Sequence, residues 1–299
     1  MSDTIWFAED GAKNVIIRYR CLQTVYSGRS RFARIDIVDT AEYGRMLFLD
    51  GIAQSAAQDE FIYHESLVHP PMLMHPNPRS VCVIGGAEGA TIREVSKYPQ
   101  VSRIVMVDID EELVGICRQH LSSWSEGAYD DHRLELHFAD GRRFLEQAEE
   151  TFDVIIVDLS DPTEDSPAVF LFTREFYQVI FRRLSPDGIA CFQGEDLQPT
   201  RLALHARMVN TLSSVFKWVV SYPCMIPSFH EMHSLILASK ELDTRTVDLG
   251  HRLRSQNLDL HYLTPFFLQG LLCVPGYVER AYAQHPDLIT DDRPSLYQV

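Results

Sequence analysis

The sequence lacks most of the features that mark specialised polypeptides. Gly and Pro contribute 15 residues each to a chain of 299, close to average usage, which excludes collagen-like, low-complexity and largely disordered classes. The six cysteines (21, 82, 117, 191, 224 and 273) form no C-x-x-C pair, so neither a zinc knuckle nor a disulfide framework is expected. Cys82 sits in the apolar run 81–84, where free cysteine behaves as a small buried hydrophobe. No apolar stretch approaches the ~18 residues of a membrane span, and residues 1–25 carry no signal-peptide pattern. A cytoplasmic protein without membrane association is expected. Basic tracts are absent as well. Lys and Arg number 27 against 42 Asp and Glu, a formal net charge of −15. Nucleic acid is therefore a poor partner, whereas a cationic small molecule suits an acidic host.

Strand and turn signals dominate residues 5–70. Runs at 24–26, 33–38 and 46–49 read as strands, punctuated by turns at Ser27-Gly28, Glu42-Tyr43-Gly44 and Asp50-Gly51. From Asp59 the pattern is helical through Phe61, Ile62, Glu65 and Leu67-Val68, and Pro70-Pro71 is expected to stop that helix. Strands and helices then alternate. Strands are expected at 80–84, 103–107, 134–138, 152–157 and 188–193, with helices at 90–97, 111–121 and 173–184. A helix over 200–215, strands near 217–222 and 234–239, and helical excursions beyond 250 complete the pattern. This alternation implies an α/β domain, a doubly wound, mostly parallel sheet with helices on both faces. A small N-terminal β domain with its linking helix (1–76) precedes it, and the α/β domain occupies 77–299.

The turn Ile84-Gly85-Gly86-Ala87-Glu88-Gly89-Ala90-Thr91 joins a strand to a helix, the position of a nucleotide-binding turn in Rossmann-like folds. A dinucleotide fingerprint would place Gly at 87 and no anion in the loop. Glu88 would repel a pyrophosphate, so a nucleoside without phosphates, and a positive group beside Glu88, are expected. The next strand ends at Asp108, where an acid accepts ribose hydroxyls in such folds. A third strand ends at Asp140-Gly141, where the acid can accept from an adenine amino group. A fourth ends at Asp158-Leu159-Ser160-Asp161-Pro162. Five acids thus fall at strand carboxyl ends with no Lys or Arg inside those turns. Such crowding needs a cation or raises the acids' pKa values, and an organic cation fits better than a metal, whose sites show denser ligand runs.

These motifs resemble the spermidine synthase family of polyamine aminopropyltransferases. The matching stretches are Gly44-Arg45-Met46-Leu47-Phe48-Leu49-Asp50-Gly51, Gln54, Asp59-Glu60-Phe61-Ile62-Tyr63-His64-Glu65, His75-Pro76-Asn77-Pro78, the 84–91 turn with Arg93-Glu94-Val95, Asp108-Ile109-Asp110, Tyr129-Asp130-Asp131, the Asp158–Pro162 motif, Leu171-Phe172-Thr173 and Phe176-Tyr177. The resemblance covers roughly 1–240. It implies transfer of an aminopropyl group from decarboxylated S-adenosylmethionine, a co-substrate, to an amine, with release of methylthioadenosine. It implies no cofactor, cationic amines as partners, and a homodimer or homotetramer. By the same resemblance Asp158 takes the proton of the attacking amine. Gln54, Glu88, Asp108, Asp140, Gly141 and Pro167 hold the donor. Tyr63, His64, Asp161, Glu195 and Trp6 hold the acceptor.

Three departures from the family pattern matter, the first for the nucleoside contact and the others for the acceptor. Ala33 stands where the family usually has a Gln, Glu88 replaces the commoner Asp, and the segment 163–170 is longer than in putrescine-specific members. Phe229 sits where many of those members place a Tyr. Gln193-Gly194-Glu195, by contrast, resembles the putrescine-using branch. Putrescine giving spermidine ranks first, with agmatine, cadaverine or spermidine as alternative acceptors. A methyltransferase using S-adenosylmethionine and a non-catalytic nucleoside-binding homologue are the rivals. His64 and His69 suggest a zincin motif at a glance. Five residues on a helix separate them by about 140°, so they cannot share an ion as an i,i+4 pair does; no metal is expected. Trp124 and Trp218 are read as packing residues.

Overall fold

The structure, a computed structural model, describes residues 5–12, 15–162, 166–243 and 245–296. Its first layer is a five-stranded antiparallel meander, β1 (Ile5–Ala12), β2 (Val15–Arg29), β3 (Arg34–Thr40), β4 (Gly44–Leu49) and β5 (Ile52–Ala56). The expected turn at Ser27-Gly28 is instead the interior of β2. Ser27 Oγ donates to Asp36 Oδ1 across the ladder at 2.6 Å, and Gly28 pairs with Ile35. The chain turns at 30–33, where Ser30 Oγ accepts from the N–H groups of Phe32 and Ala33, both at 3.1 Å.

Helix α1 (Glu60–Met74) passes through Pro70 and Pro71 rather than stopping there. A helical proline leaves the carbonyl four residues back without its donor. For Pro70 that carbonyl belongs to Ser66, and the Tyr222 hydroxyl donates to it at 2.8 Å. Tertiary structure supplies what the proline removes, so the helix continues onto α2 (Ala90–Ser96) and the second sheet.

That second sheet comprises β6 (Ser80–Gly85), β7 (Arg103–Asp108), β8 (Leu134–Phe138), β9 (Phe152–Asp158), β10 (Leu184–Asp196), β11 (Trp218–Ile226) and β12 (Glu231–Ser239), in the order β11-β12-β10-β9-β6-β7-β8. Strands β6 to β10 run parallel, and β12 is antiparallel to both its neighbours. The fold is thus the expected Rossmann-like α/β architecture behind an N-terminal β sheet. Its central parallel strands β6, β7 and β9 are apolar on both faces, as burial on both sides demands. Val81, Val83, Ile104, Met106, Val154 and Ile156 enter one core, and Cys82, Ile84, Val105, Val107, Ile155 and Val157 the other.

The remaining helices are α3 (Glu111–His120), α4 (Ser122–Ser125), α5 (Gly141–Gln147), α6 (Arg174–Arg183), α7 (Leu202–Ser213), α8 (Leu249–Arg254), α9 (Pro265–Leu271) and α10 (Gly276–Gln284). Helix α5 is not among the expected elements. The C-terminal segment secures α1. Arg252 Nη1 donates to the carbonyls of Leu73, Met74 and His75 at 2.7, 2.7 and 3.2 Å, meeting the orphan acceptors of the helix end. The buried Glu65 carboxylate accepts from the N–H groups of His261, Tyr262 and Leu263 at 2.6, 3.0 and 2.9 Å. No helix among the described residues is long and apolar enough to cross a membrane.

Tyr222→Phe deletes the donor to Ser66 and should destabilise the fold by about 1–3 kcal/mol. Urea denaturation checks this; an unchanged midpoint would mean that the Ser66 carbonyl finds another partner.

Candidate active site

Strand order reverses between β6 and β9, the point where open α/β sheets bind ligands. A cleft of about 1480 Å³ opens there, between the carboxyl ends of the parallel strands and the β3–β5 face of the N-terminal sheet. Gly85 pairs with Asp158 across this point. Its φ is +85°, and a Cβ there would lie 2.0 Å from the Asp158 carbonyl oxygen, so only glycine lets the two strands approach. Gly86 N–H donates to the same carbonyl at 3.0 Å.

Asp158 projects between Tyr63, whose hydroxyl donates to Oδ1 at 2.9 Å, and Thr91, whose hydroxyl donates to Oδ2 at 2.5 Å. Both hydroxyls come from helices packed on the sheet, so the carboxylate is held from two sides. Burial pushes the Tyr63 hydroxyl well above its ordinary range and Asp158 adds to that, keeping Tyr63 a donor.

Glu88 is held by the N-terminal sheet and by α1. Ser55 Oγ donates to Oε1 at 2.5 Å while itself accepting from Trp124 Nε1 at 3.1 Å. His64 Nε2 lies 3.5 Å from Oε2. The other His64 nitrogen meets Glu60 Oε2 at 2.8 Å. Burial alone would lower this imidazolium, but Glu60 and Glu88 outweigh it and raise it to about 10. His64 thus sets a protein-borne positive charge beside Glu88. It is only 2% exposed and stands behind the cleft, a correction to its expected place in the acceptor channel. His69 turns to Tyr98 and Glu94 at 2.8 and 2.9 Å. The two histidines share nothing, and no group of three His, Cys, Asp or Glu among the described residues is arranged to hold a metal ion.

Asp108 ends β7 and accepts the Asp110 N–H at 2.8 Å. Burial pushes it up to about 6, and Asp110 and Asp158 add to the shift. Asp140 caps α5 by accepting the Arg143 N–H at 2.9 Å. Gly141 follows it because a Cβ there would come within 2.5 Å of Ile84 Cγ2. Asp108, Asp140 and Gly141 line one end of the cleft with Gln54, Ala33 and Glu88; Tyr63, Asp161, Gln193 and Phe229 line the other. Pro167 opens the 3₁₀ turn Pro167–Leu171, but its side chain, like residues 163–165 of the long loop, lies outside the described residues.

Two further expectations are corrected by position. Trp6 lies on β1, paired with Arg20 and 54% exposed, and does not reach the cleft. β1 is the outer strand of the meander, and its ladder leaves Trp6 in solvent. Glu195 is only 3% exposed and sits behind Gln193, outside the cleft lining. Gln193 Nε2 donates to Glu195 Oε1 at 3.2 Å and reaches Asp161 Oδ1 at 3.5 Å. The ladder shifts register between Gln193 and Asp196, and Glu195 takes a φ of +65°, so this bulge reaims the chain beside the cleft. Burial pushes both Asp161 and Glu195 upward, with Glu231 and Asp196 adding to the first and Asp161 to the second. The expectations omit Glu231 and His233, which line the cleft from β12, and Glu9 from β1.

Residues 60–248 match the family model for the spermine/spermidine synthase domain, and residues 5–56 match the spermidine synthase tetramerisation domain. The chain belongs to the spermine/spermidine synthase family. A polyamine aminopropyltransferase 2 of Pseudomonas aeruginosa is 43% identical over 275 residues, covering 87% of this chain and 79% of that protein. A polyamine aminopropyltransferase of Aeropyrum pernix is 39% identical, covering 90% and 87%. A thermospermine synthase of Arabidopsis thaliana is 38% identical, covering 87% and 78%. The crystal structure of spermidine synthase from Thermotoga maritima superposes with a TM-score of 0.87 at 31% identity, covering 94% of this chain and 95% of that one. A spermidine synthase in complex with the transition-state analogue AdoDATO gives 0.89 at 31% identity, covering 94% and 96%. As a member of this family, the chain is an enzyme of the polyamine aminopropyltransferase type.

The raised Asp108 has a stability signature. Its ionised form is less favourable in the fold than in the unfolded chain, whose aspartates titrate near 3.9. The penalty is absent below that pH, grows as pH rises, and is full above about 6. Asn can keep the acceptor oxygen without the charge. Asp108→Asn should therefore raise the melting temperature of the ligand-free protein at pH 8, on the order of 5 °C, and scarcely near pH 4. A fall at pH 8, read by scanning calorimetry, would contradict this.

Proposed function

We propose that this chain transfers the aminopropyl group of decarboxylated S-adenosylmethionine to a terminal amine of a linear aliphatic acceptor, releasing methylthioadenosine. The observation that carries this is Glu88, fixed by Ser55 and His64 at the mouth of the glycine turn. A methyl donor would bring its methionine carboxylate against that anion, whereas a decarboxylated donor brings an ammonium. In this reading Asp108 accepts the ribose hydroxyls, and Asp140 with Gly141 meets the adenine. Gln54 lies on the donor side, and Pro167 on the adenine side. Tyr63 and Asp161 face the acceptor amine directly, and Glu195 acts through Gln193.

The chemistry asks for a free amine near a base. An alkylammonium has a pKa near that of Lys, about 10.4, and only the neutral nitrogen attacks. Asp158 takes the proton while the nitrogen bonds to the carbon beside sulfur. The carbon–sulfur bond breaks toward the sulfonium, which leaves as a neutral thioether. Phe229 gives this end an apolar wall, which favours the neutral amine. Putrescine fits as an acceptor, with its second nitrogen at Asp161 and Gln193.

Mass spectrometry on the enzyme with each donor tests the reading. Methylthioadenosine from the decarboxylated donor supports it. Adenosylhomocysteine from S-adenosylmethionine would make the chain a methyltransferase, and binding without turnover would make it a nucleoside-binding homologue. Asp158→Asn should fold and bind methylthioadenosine yet lose about 10²–10⁴-fold in kcat; near-normal turnover would remove Asp158 from the base role.

We further propose a homo-oligomer, a homodimer or homotetramer, joined through the β1–β2 face. Ile5, Trp6, Val15, Ile16 and Leu22 are 54–66% exposed there, more apolar surface on one hairpin than a monomer usually leaves in water. Ile16→Asp combined with Leu22→Asp should lower the mass measured by light scattering; an unchanged mass places the interface elsewhere.

A further inference from the structure

Each carboxylate oxygen of Glu88 is held by a side chain that does not itself line the cleft, and both lines of support end on one residue. On one side Ser55 Oγ donates to Oε1 and accepts from the Trp124 indole. The Trp124 carbonyl accepts in turn from Arg93 Nη1 at 2.6 Å. On the other side His64 stands between Glu88 Oε2 at 3.5 Å and Glu60 Oε2 at 2.8 Å. Arg93 grips that Glu60 carboxylate at both oxygens, Nη1 donating to Oε1 at 2.8 Å and Nη2 to Oε2 at 3.1 Å. Its Nε donates to Glu94 Oε1 at 2.8 Å. The ring that closes on Arg93 thus draws on α1, α2, α4 and β5.

Charge pairing alone does not account for this placement. Glu94 has Lys97 and His69 at 2.8 and 2.9 Å as well, and the Trp124 carbonyl carries no net charge to offset. A planar guanidinium can span a carboxylate at both oxygens and still donate elsewhere, which an ammonium on a flexible stem cannot match. Nor does Arg93 touch substrate space. It is 9% exposed and borders a separate cavity of about 310 Å³ that Glu60, Lys97 and His261 also line.

We infer that Arg93 is a positioning residue for the donor, fixing both oxygens of Glu88, through Glu60 and His64 and through Trp124 and Ser55, in the attitude that receives the donor's ammonium. This rests on the reading that places that ammonium at Glu88. A carboxylate held in place loses little freedom when the ligand arrives, whereas a loosened one must be ordered by the ligand itself.

Methylthioadenosine shares the donor's nucleoside but has no ammonium. The ratio of its dissociation constant to that of decarboxylated S-adenosylmethionine, both titrated calorimetrically without amine, therefore reports on the aminopropyl side of the site. Arg93→Gln and Glu60→Gln should each weaken the donor about tenfold and methylthioadenosine by less than about twofold. The two variants change the local charge in opposite senses, so a long-range field would tighten the cationic donor in the first and loosen it in the second. Positioning loosens it in both. In a Glu88→Gln background neither variant should lower the ratio further. Glu60→Gln is isosteric and leaves Arg93 its contacts to Glu94 and Trp124. With the Glu88→Gln background as its control, it decides the case if Arg93→Gln does not fold. Equal weakening of both ligands, opposite shifts in the two variants, or a ratio that neither moves overturns the inference. A ratio unmoved by Glu88→Gln alone refutes instead the placement of the ammonium on which the inference rests.

Discussion

Carboxylates converge on one cleft faster than the fold supplies cations to meet them, and the two ends of the cleft resolve this differently. At the donor end Glu88 is met by His64, His64 by Glu60, and Glu60 by Arg93 at 2.8 Å. Arg93 in turn meets Glu94, which also holds His69 and Lys97. Acids and bases alternate from the cleft to the far side of α2. Because His64 is raised, its pairing stabilises the fold fully below about 6.5 and is lost as pH climbs through about 10. At the acceptor end Arg201 meets Asp196 and Glu231, and burial raises Asp196, Asp161 and Glu195. Glu88 is thus balanced and anchored, whereas Asp108 nearby is pushed up by burial.

Most of the fold was legible because parallel strands buried on both faces must be apolar along their whole length. Val81-Cys82-Val83-Ile84 and Val154-Ile155-Ile156-Val157 could be little else, and alternation with helices fixed the class. The misreadings share one cause, a partner remote in sequence. Pro70 and Pro71 are sound stop signals for an isolated helix, and what overrides Pro70 is a hydroxyl 156 residues away. Ser27-Gly28 has turn composition, but Ser27 is tied to Asp36 across a ladder. Nothing local announces either contact.

The site was legible to the extent that strand ends locate it. Asp108, Asp140, Asp158 and Asp161 each follow an apolar run, and in a parallel sheet those ends share an edge. Glu231 and His233 escaped because they begin their strand rather than end it. β12 runs antiparallel to β10, so its start lies at the edge where the parallel strands finish, and strand direction is not written in a nine-residue pattern. The acceptor wall is thus built partly from residues that look, in sequence, like the polar lead-in to an apolar strand. Glu195 could be named but not placed, because the bulge that tucks it behind Gln193 depends on how β10 pairs with β12.

The N-terminal sheet is a working part of this arrangement rather than an appendage. Ser55 of β5 orients Glu88, and Ser30 in the β2–β3 turn hydrogen-bonds to Asp110 beside Asp108. Glu9 of β1 accepts from Ala53 N–H at 2.8 Å and from the Tyr19 hydroxyl at 2.7 Å. The same Tyr19 oxygen lies 2.9 Å from the Ser228 carbonyl, which competes with Glu9 for its single proton, in the turn that presents Phe229 to the cleft. The meander therefore touches the donor carboxylate, the neighbour of the ribose-side acid, and the acceptor wall. β1 and β2 also carry several exposed apolar side chains, Ile5, Trp6, Val15, Ile16 and Leu22. The association proposed for these strands would therefore sit next to Glu9 and Tyr19, which reach the turn that carries Phe229.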